Sequence, residues 1–163
     1  VGIGRALALN PKFVVLDEPT SALDVSVQAK IISFLNKLRA RFDLTYLYIS
    51  HDLSLVRNIS NHVGVMYLGK IMEIAPTRNL YEKHLHPYTE ALLSAIPTIS
   101  DEEDQSKPMK IALKGEIPTP ANPPQGCRFH TRCPKVMERC RKEEPEITEV
   151  EKGHHVRCLL YNI

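Results

Sequence analysis

Two short, unbroken apolar runs on either side of one long amphipathic stretch most constrain what this chain can fold into. Phe13-Val14-Val15-Leu16 is continuous rather than alternating, which is how a strand covered on both faces of a parallel sheet reads. Asp24 follows as an N-cap before a helix predicted from about Val25 to Arg41. In that helix Val27, Ile31, Leu35 and Leu38 recur at helical spacing and form a core stripe. Thr45–Ser50 (Thr-Tyr-Leu-Tyr-Ile-Ser) is the second buried strand. Strand, helix and strand in this order imply a βαβ unit with its crossover, so the expected fold class is α/β with mostly parallel strands.

The flanks carry weaker signals. Val1–Leu9 reads as a helix that stops at Asn10-Pro11, a C-cap-like residue before a breaker. Asp52 can cap a short helix through about Asn58. Val63–Leu68 and Ile71–Ile74 flank Leu68-Gly69-Lys70, which predicts a hairpin. Pro87 sits at the first turn of a helix through Ala91, Leu92 and Leu93, with His86, Tyr81 and Tyr88 as packing and capping residues.

Composition divides the chain into three. Residues 1–96 hold the α/β pattern. Residues 97–126 hold Pro97, Pro108, Pro118, Pro120, Pro123 and Pro124 around the acidic patch Asp101–Asp104, and read as an extended linker. Residues 127–163 contain all four cysteines and read as a small appended unit. A net charge of +2, from 21 basic and 19 acidic side chains, gives no field that argues for nucleic acid. No apolar run approaches the roughly 20 residues of a membrane-spanning helix. The chain opens on Val1 inside an apparent helix, so a piece of a longer protein is expected.

Ligands of parallel sheets bind at the carboxyl ends of the strands. Asp17 and Glu18 end the first strand and His51 ends the second, so neighbouring strands bring them to one rim. There Asp17 can hold Mg²⁺, a hard ion that takes carboxylate and phosphate oxygens. Glu18 can deprotonate an attacking water, and the imidazole opposite can donate to a transferring phosphoryl group. Taken alone, an Asp-Glu pair after a strand is also what a solvated turn or helix cap looks like.

The complete string decides between these. Phe13-Val14-Val15-Leu16-Asp17-Glu18-Pro19-Thr20-Ser21-Ala22-Leu23-Asp24 resembles the Walker B motif and D-loop of ATP-binding-cassette (ABC) ATPases. Tyr48-Ile49-Ser50-His51-Asp52 resembles the family's switch-histidine loop. Val1-Gly2-Ile3-Gly4-Arg5-Ala6-Leu7 resembles the helix just after its Ser-Gly-Gly-Gln signature, with Gly4 where Ala is commoner. The resemblance implies the C-terminal part of a P-loop NTPase domain. It implies Asp17 on Mg²⁺ and ATP, Glu18 as catalytic base, and His51 on the γ-phosphate. Ser21, Ala22, Leu23 and Asp24 would form the D-loop facing a partner subunit. No G-x-x-x-x-G-K-[ST] cradle and no signature loop occur, so these residues alone are expected to bind ATP poorly and to hydrolyse none.

Beyond the core, Leu85-His86-Pro87-Tyr88-Thr89, Gly126-Cys127-Arg128-Phe129-His130-Thr131-Arg132-Cys133-Pro134 and His155-Val156-Arg157-Cys158 resemble the C-terminal region of oligopeptide and dipeptide importer ATPases. That resemblance implies a subunit at the cytoplasmic face of the membrane, peripheral to two permease subunits. A second ABC ATPase subunit, identical or not, and an extracytoplasmic peptide-binding protein would complete the transporter, with no nucleic acid. A nickel-type importer ATPase is one alternative, and a non-transport ABC ATPase acting on nucleic acid is another.

The cysteine spacing C-x5-C-x6-C, with Cys158 a further 18 positions on, does not match short-paired zinc motifs. Cys127, Cys133, Cys140 and Cys158 can hold a [4Fe–4S] cluster, which the subfamily resemblance also suggests. Zinc, with His130, His154 or His155 as further ligands, is the runner-up. Small buried thiols packing a mini-domain without metal are the plainest alternative.

Overall fold

The computed structural model describes residues 2–96 and 111–162. The expected acidic patch Asp101–Asp104, Pro97, Pro108 and Val1 lie outside the described residues. Two compact units divide between Ser60 and Asn61. Composition draws its boundaries elsewhere, after residues 96 and 126, because it follows proline and cysteine content rather than packing.

The first unit is built on a two-stranded sheet. Helix α1 (Gly2–Leu7) precedes strand β1 (Phe13–Asp17), helix α2 (Val25–Phe42), strand β2 (Thr45–Ile49) and helix α3 (Leu53–Ile59). Strands β1 and β2 pair in parallel, Phe13 opposite Thr45 and Asp17 opposite Ile49, as the βαβ pattern requires. Asp24 caps α2 by accepting from the Val27 amide at 3.0 Å. The helix ends where Asp43 turns left-handed (φ 52°), so its amide can reach back to the Arg39 carbonyl. Val14, Leu16, Leu35, Leu55 and Ile59 form the core, with Ile3, Leu7, Ile31, Tyr46 and Tyr48 packed against it.

One expectation needs correction here. The unbroken run at Phe13–Leu16 predicts cover on both faces, yet β1 alternates exposed and buried. Phe13 and Val15 are 54% and 53% exposed, and Leu47 and Ile49 on β2 are 48% and 44% exposed. The helices that pack into the core of this unit cover one face only.

The second unit corrects the expectation of mostly parallel strands. Strands β3 (His62–Tyr67) and β4 (Lys70–Pro76) form the predicted hairpin, and β5 (Thr148–Glu151) and β6 (His154–Val156) complete an antiparallel sheet in the order β3-β4-β6-β5. The tight turn at Leu68-Gly69, with φ 44° and 76°, returns the chain beside itself, so β3 and β4 can only be antiparallel. The parallel pair in the described residues is β1–β2.

Between β3 and β4 the register slips: Val65 faces Glu73 while Met66 faces Ile71, leaving Met72 as a bulge. The bulge turns backbone acceptors toward the C-terminal segment. The Met72 carbonyl accepts from the Arg157 amide at 2.7 Å, and the Ile71 carbonyl accepts from the Arg157 guanidinium at 3.0 Å. Helix α4 (Thr77–Glu82) follows, then α5 (Pro87–Ser94), capped by the His86 imidazole accepting from the Tyr88 amide. A 3₁₀ turn at Glu138–Arg141 carries the buried Cys140. The core here joins Tyr67, Met72, Cys127, Phe129, Cys140 and Leu159. The residues predicted as a separate cysteine unit thus share a sheet and a core with β3 and β4.

Candidate functional site

The parallel register places the candidate residues. With Asp17 opposite Ile49, the segments leaving β1 and β2 emerge side by side at one sheet end. The Glu18 amide donates to the Ile49 carbonyl at 3.0 Å, extending the ladder by one bond. Glu18 itself turns left-handed (φ 46°), a conformation that costs a non-glycine residue about 1–2 kcal/mol. That turn takes its side chain off the strand alternation.

Glu18 Oε1 lies 2.8 Å from His51 Nδ1. The Glu18 hydrogen bond, its charge and the more distant Asp52 raise the His51 pKa above the ordinary histidine value. His51 is 80% exposed, so the pair sits in water and gains little stability from its charge. Asp17 is exposed at the end of the same strand. Of the three rim residues the sequence picks out, the structure joins Glu18 to His51 and sets Asp17 next to them.

Ser21 and Asp24 occupy the loop that follows. The Ser21 hydroxyl and amide both donate to the Glu18 carbonyl, at 3.0 and 3.3 Å. Asp24 serves as the α2 cap, and the Ser26 hydroxyl at 2.6 Å, then the Val27 amide, lower its pKa. Composition and spacing did not single out Thr20, which is 3% exposed. Its hydroxyl lies 3.1 Å from the Tyr48 hydroxyl, and its carbonyl accepts from the Gln28 amide at 3.0 Å. A hollow of about 730 Å³ lies between α2 and α3, but none of Asp17, Glu18 and His51 lines it.

A divalent cation fits the rim by donor chemistry. Mg²⁺ uses one or two protein carboxylates and completes its shell with water and phosphate oxygens, so adjacent carboxylates at an open strand end suit it. Among the described residues no three of His, Cys, Asp and Glu gather into a ligating group. The zinc alternative, which needs its ligands drawn together on a single ion, therefore finds no site as folded.

Cys127, Cys133, Cys140 and Cys158 are all free thiols. Burial chiefly pushes the Cys158 thiol up to about 11, and negative charge at Cys127, Cys133 and Cys140 adds to it. The Cys127 amide donates to the Cys140 carbonyl at 2.8 Å. Among the described residues the four thiols do not gather into a metal-ligating group.

A buried acid and base in the second unit were not singled out as a pair from the sequence. His154 Nε2 donates to Glu73 Oε1 at 2.7 Å, and the Leu85 and His86 amides donate to the same carboxylate at 2.7 and 3.0 Å. An acidic residue inside the apolar run Ile71–Ala75 was the available hint.

Comparison with known proteins gives clear similarities. The family described as "Oligopeptide/dipeptide transporter, C-terminal region" matches residues 72–140. The chain is 54% identical over 162 residues to the oligopeptide transport ATP-binding protein AppF of Bacillus subtilis, covering 99% of this chain and 49% of that protein. It is 51% identical over 164 residues to the di/tripeptide transport ATP-binding protein DppF of Pseudomonas aeruginosa, covering 98% and 50%. The chain spans about half the length of the relatives it matches. Over that span, the chain is similar to oligopeptide/dipeptide transport ATP-binding proteins.

Proposed function

We propose that this chain supplies the hydrolytic rim of an ABC ATPase subunit that powers peptide import. The observation that carries the proposal is the contact of Glu18 with His51 at 2.8 Å across the ends of two parallel strands. In this reading Phe13–Glu18 is the Walker B strand. Asp17 would hold Mg²⁺, which when bound neutralises phosphate charge. Glu18 takes the proton of the attacking water, and His51 orients Glu18 and donates toward the terminal phosphate. Ser21 and Asp24 belong to the loop that faces a second ATPase subunit.

The remaining partners are inferred from the resemblance to peptide importer ATPases. Two permease subunits and an extracytoplasmic peptide-binding protein would complete the importer, with this subunit peripheral at the cytoplasmic face. The described residues contain no helix long and apolar enough to cross a membrane. The nickel and nucleic-acid alternatives have no support from these relatives.

The test is Glu18→Gln in the full-length subunit that carries this segment, assembled with its transporter. Loss of a general base lowers turnover by about 10²–10⁴-fold. Mg·ATP binding should survive. Turnover within threefold of wild type would remove Glu18 from the role.

The finer assignment of a [4Fe–4S] cluster to Cys127, Cys133, Cys140 and Cys158 rests on the subfamily resemblance and on four free cysteines, of which Cys127, Cys133 and Cys140 share one core. Anaerobic purification should yield a brown protein with visible charge-transfer absorbance that Cys140→Ser abolishes. A colourless, iron-free protein refutes it.

A further inference from the structure

Glu18 and His51 lie on separate segments, and an exposed contact in water does not fix two segments by itself. The Glu18 amide ties the start of the loop to the Ile49 carbonyl, and the rest of the loop needs a second hold against the end of β2. One long-range side-chain bond spans the gap. Thr20, two residues after Glu18, and Tyr48, three before His51, meet hydroxyl to hydroxyl at 3.1 Å. The bond is partly buried: Thr20 is buried, and Tyr48 is half-buried with its ring packed against the core of its unit.

The surrounding bonds make the loop a single body that this tie can steer. The Thr20 carbonyl accepts from Gln28 Nε2 at 3.0 Å and from the Leu23 amide at 3.1 Å. The Glu18 carbonyl accepts from Ser21 twice. Displacing Thr20 therefore displaces Ser21 and the left-handed Glu18 with it.

We propose that Tyr48 is a positioning residue, whose hydroxyl grips Thr20 and so holds the Glu18 carboxylate on the His51 imidazole. The inference rests on the proposed role of Glu18. Tyr48 touches none of the reacting atoms. Its ring contributes packing, and its hydroxyl contributes position. Tyr48→Phe separates the two, because it keeps the ring and removes the bond.

Two readouts test it. In this chain, proton NMR follows the titration of the His51 ring, which faces Glu18 and, at longer range, Asp52. Tyr48→Phe and Thr20→Val should each move the His51 midpoint down toward an ordinary histidine. The double variant should move it no further, and Thr20→Ser, which retains the hydroxyl, should restore the wild-type midpoint. In the full-length assembled subunit, Tyr48→Phe should lower kcat about 3–10-fold at unchanged KM, the loss expected for one partly buried hydrogen bond. A folded Tyr48→Phe variant with wild-type His51 titration and wild-type kcat overturns the inference. Glu18→Gln with full turnover overturns instead the role of Glu18, whatever Tyr48 does.

Discussion

Replacing Glu73 by alanine should be among the most damaging single changes in the second unit. The carboxylate is fully buried and serves three donors: the Leu85 amide, the His86 amide and His154 Nε2. These tie strand β4 to the entry of α5 and to strand β6. Truncation leaves all three donors without an acceptor, and each costs about 1–3 kcal/mol when buried and unpaired. Some water entering the vacated space offsets part of that. A net loss of about 3–5 kcal/mol follows from the three donors left unpaired.

The same geometry ranks the related variants. Glu73→Gln keeps one acceptor oxygen but turns an NH₂ toward a donor, so it should fall between wild type and alanine. His154→Phe removes one donor and leaves the carboxylate with its two amide partners, so it should cost less than Glu73→Ala. The assay is urea unfolding, with amide exchange at β4 and β6 to localise the loss to this unit. A Glu73→Ala variant within about 1 kcal/mol of wild type would refute the three-donor account. So would His154→Phe proving the worse of the two.

Three further outcomes follow from the structure. His51 has a folded pKa raised first by its Glu18 hydrogen bond, so the pair's contribution is complete below the ordinary histidine range and fades as pH rises through the raised value. Ring titration by NMR should show this upward midpoint, Glu18→Gln should remove it, and an unshifted wild-type His51 would contradict it. Burial holds the Cys158 thiol at about 11 against an ordinary 9.0, so in metal-free protein its alkylation near pH 8 should run about 100-fold slower than that of a simple thiol. Mass spectrometry of timed labelling reads this, and labelling as fast as an unfolded control would count against the burial. Asp24→Ala removes the α2 cap and should destabilise the first unit by about 1 kcal/mol, measured by urea unfolding, with Asp24→Asn losing less than half of that.

Much of the first unit was legible because its signals are local. Asp24 caps from its own side chain, α2 declares itself by a stripe within one helix, and β1 and β2 are short apolar runs at either end of it. The hairpin at Leu68-Gly69 is equally local, since the two left-handed residues that reverse the chain are adjacent. Strands β5 and β6 escaped notice for the opposite reason. Thr148–Glu151 is charged and largely exposed, and it is a strand only because β6 pairs with it and β6 pairs with β4. Whether a strand runs parallel or antiparallel depends on such distant partners, which is why the second sheet departed from expectation.

The candidate site divides along the same line. Residue types and spacing alone put Asp17, Glu18 and His51 at the carboxyl ends of two strands, because a βαβ pattern leaves no other place for them. Tertiary structure decided that Glu18 touches His51, since that contact depends on the β1–β2 register and the left-handed turn at Glu18. It also decided that Glu73 meets His154, 81 positions away. Backbone propensity and apolar period act over a few residues and can be read along a chain. Hydrogen bonds between side chains far apart in sequence exist only once packing has brought them within reach.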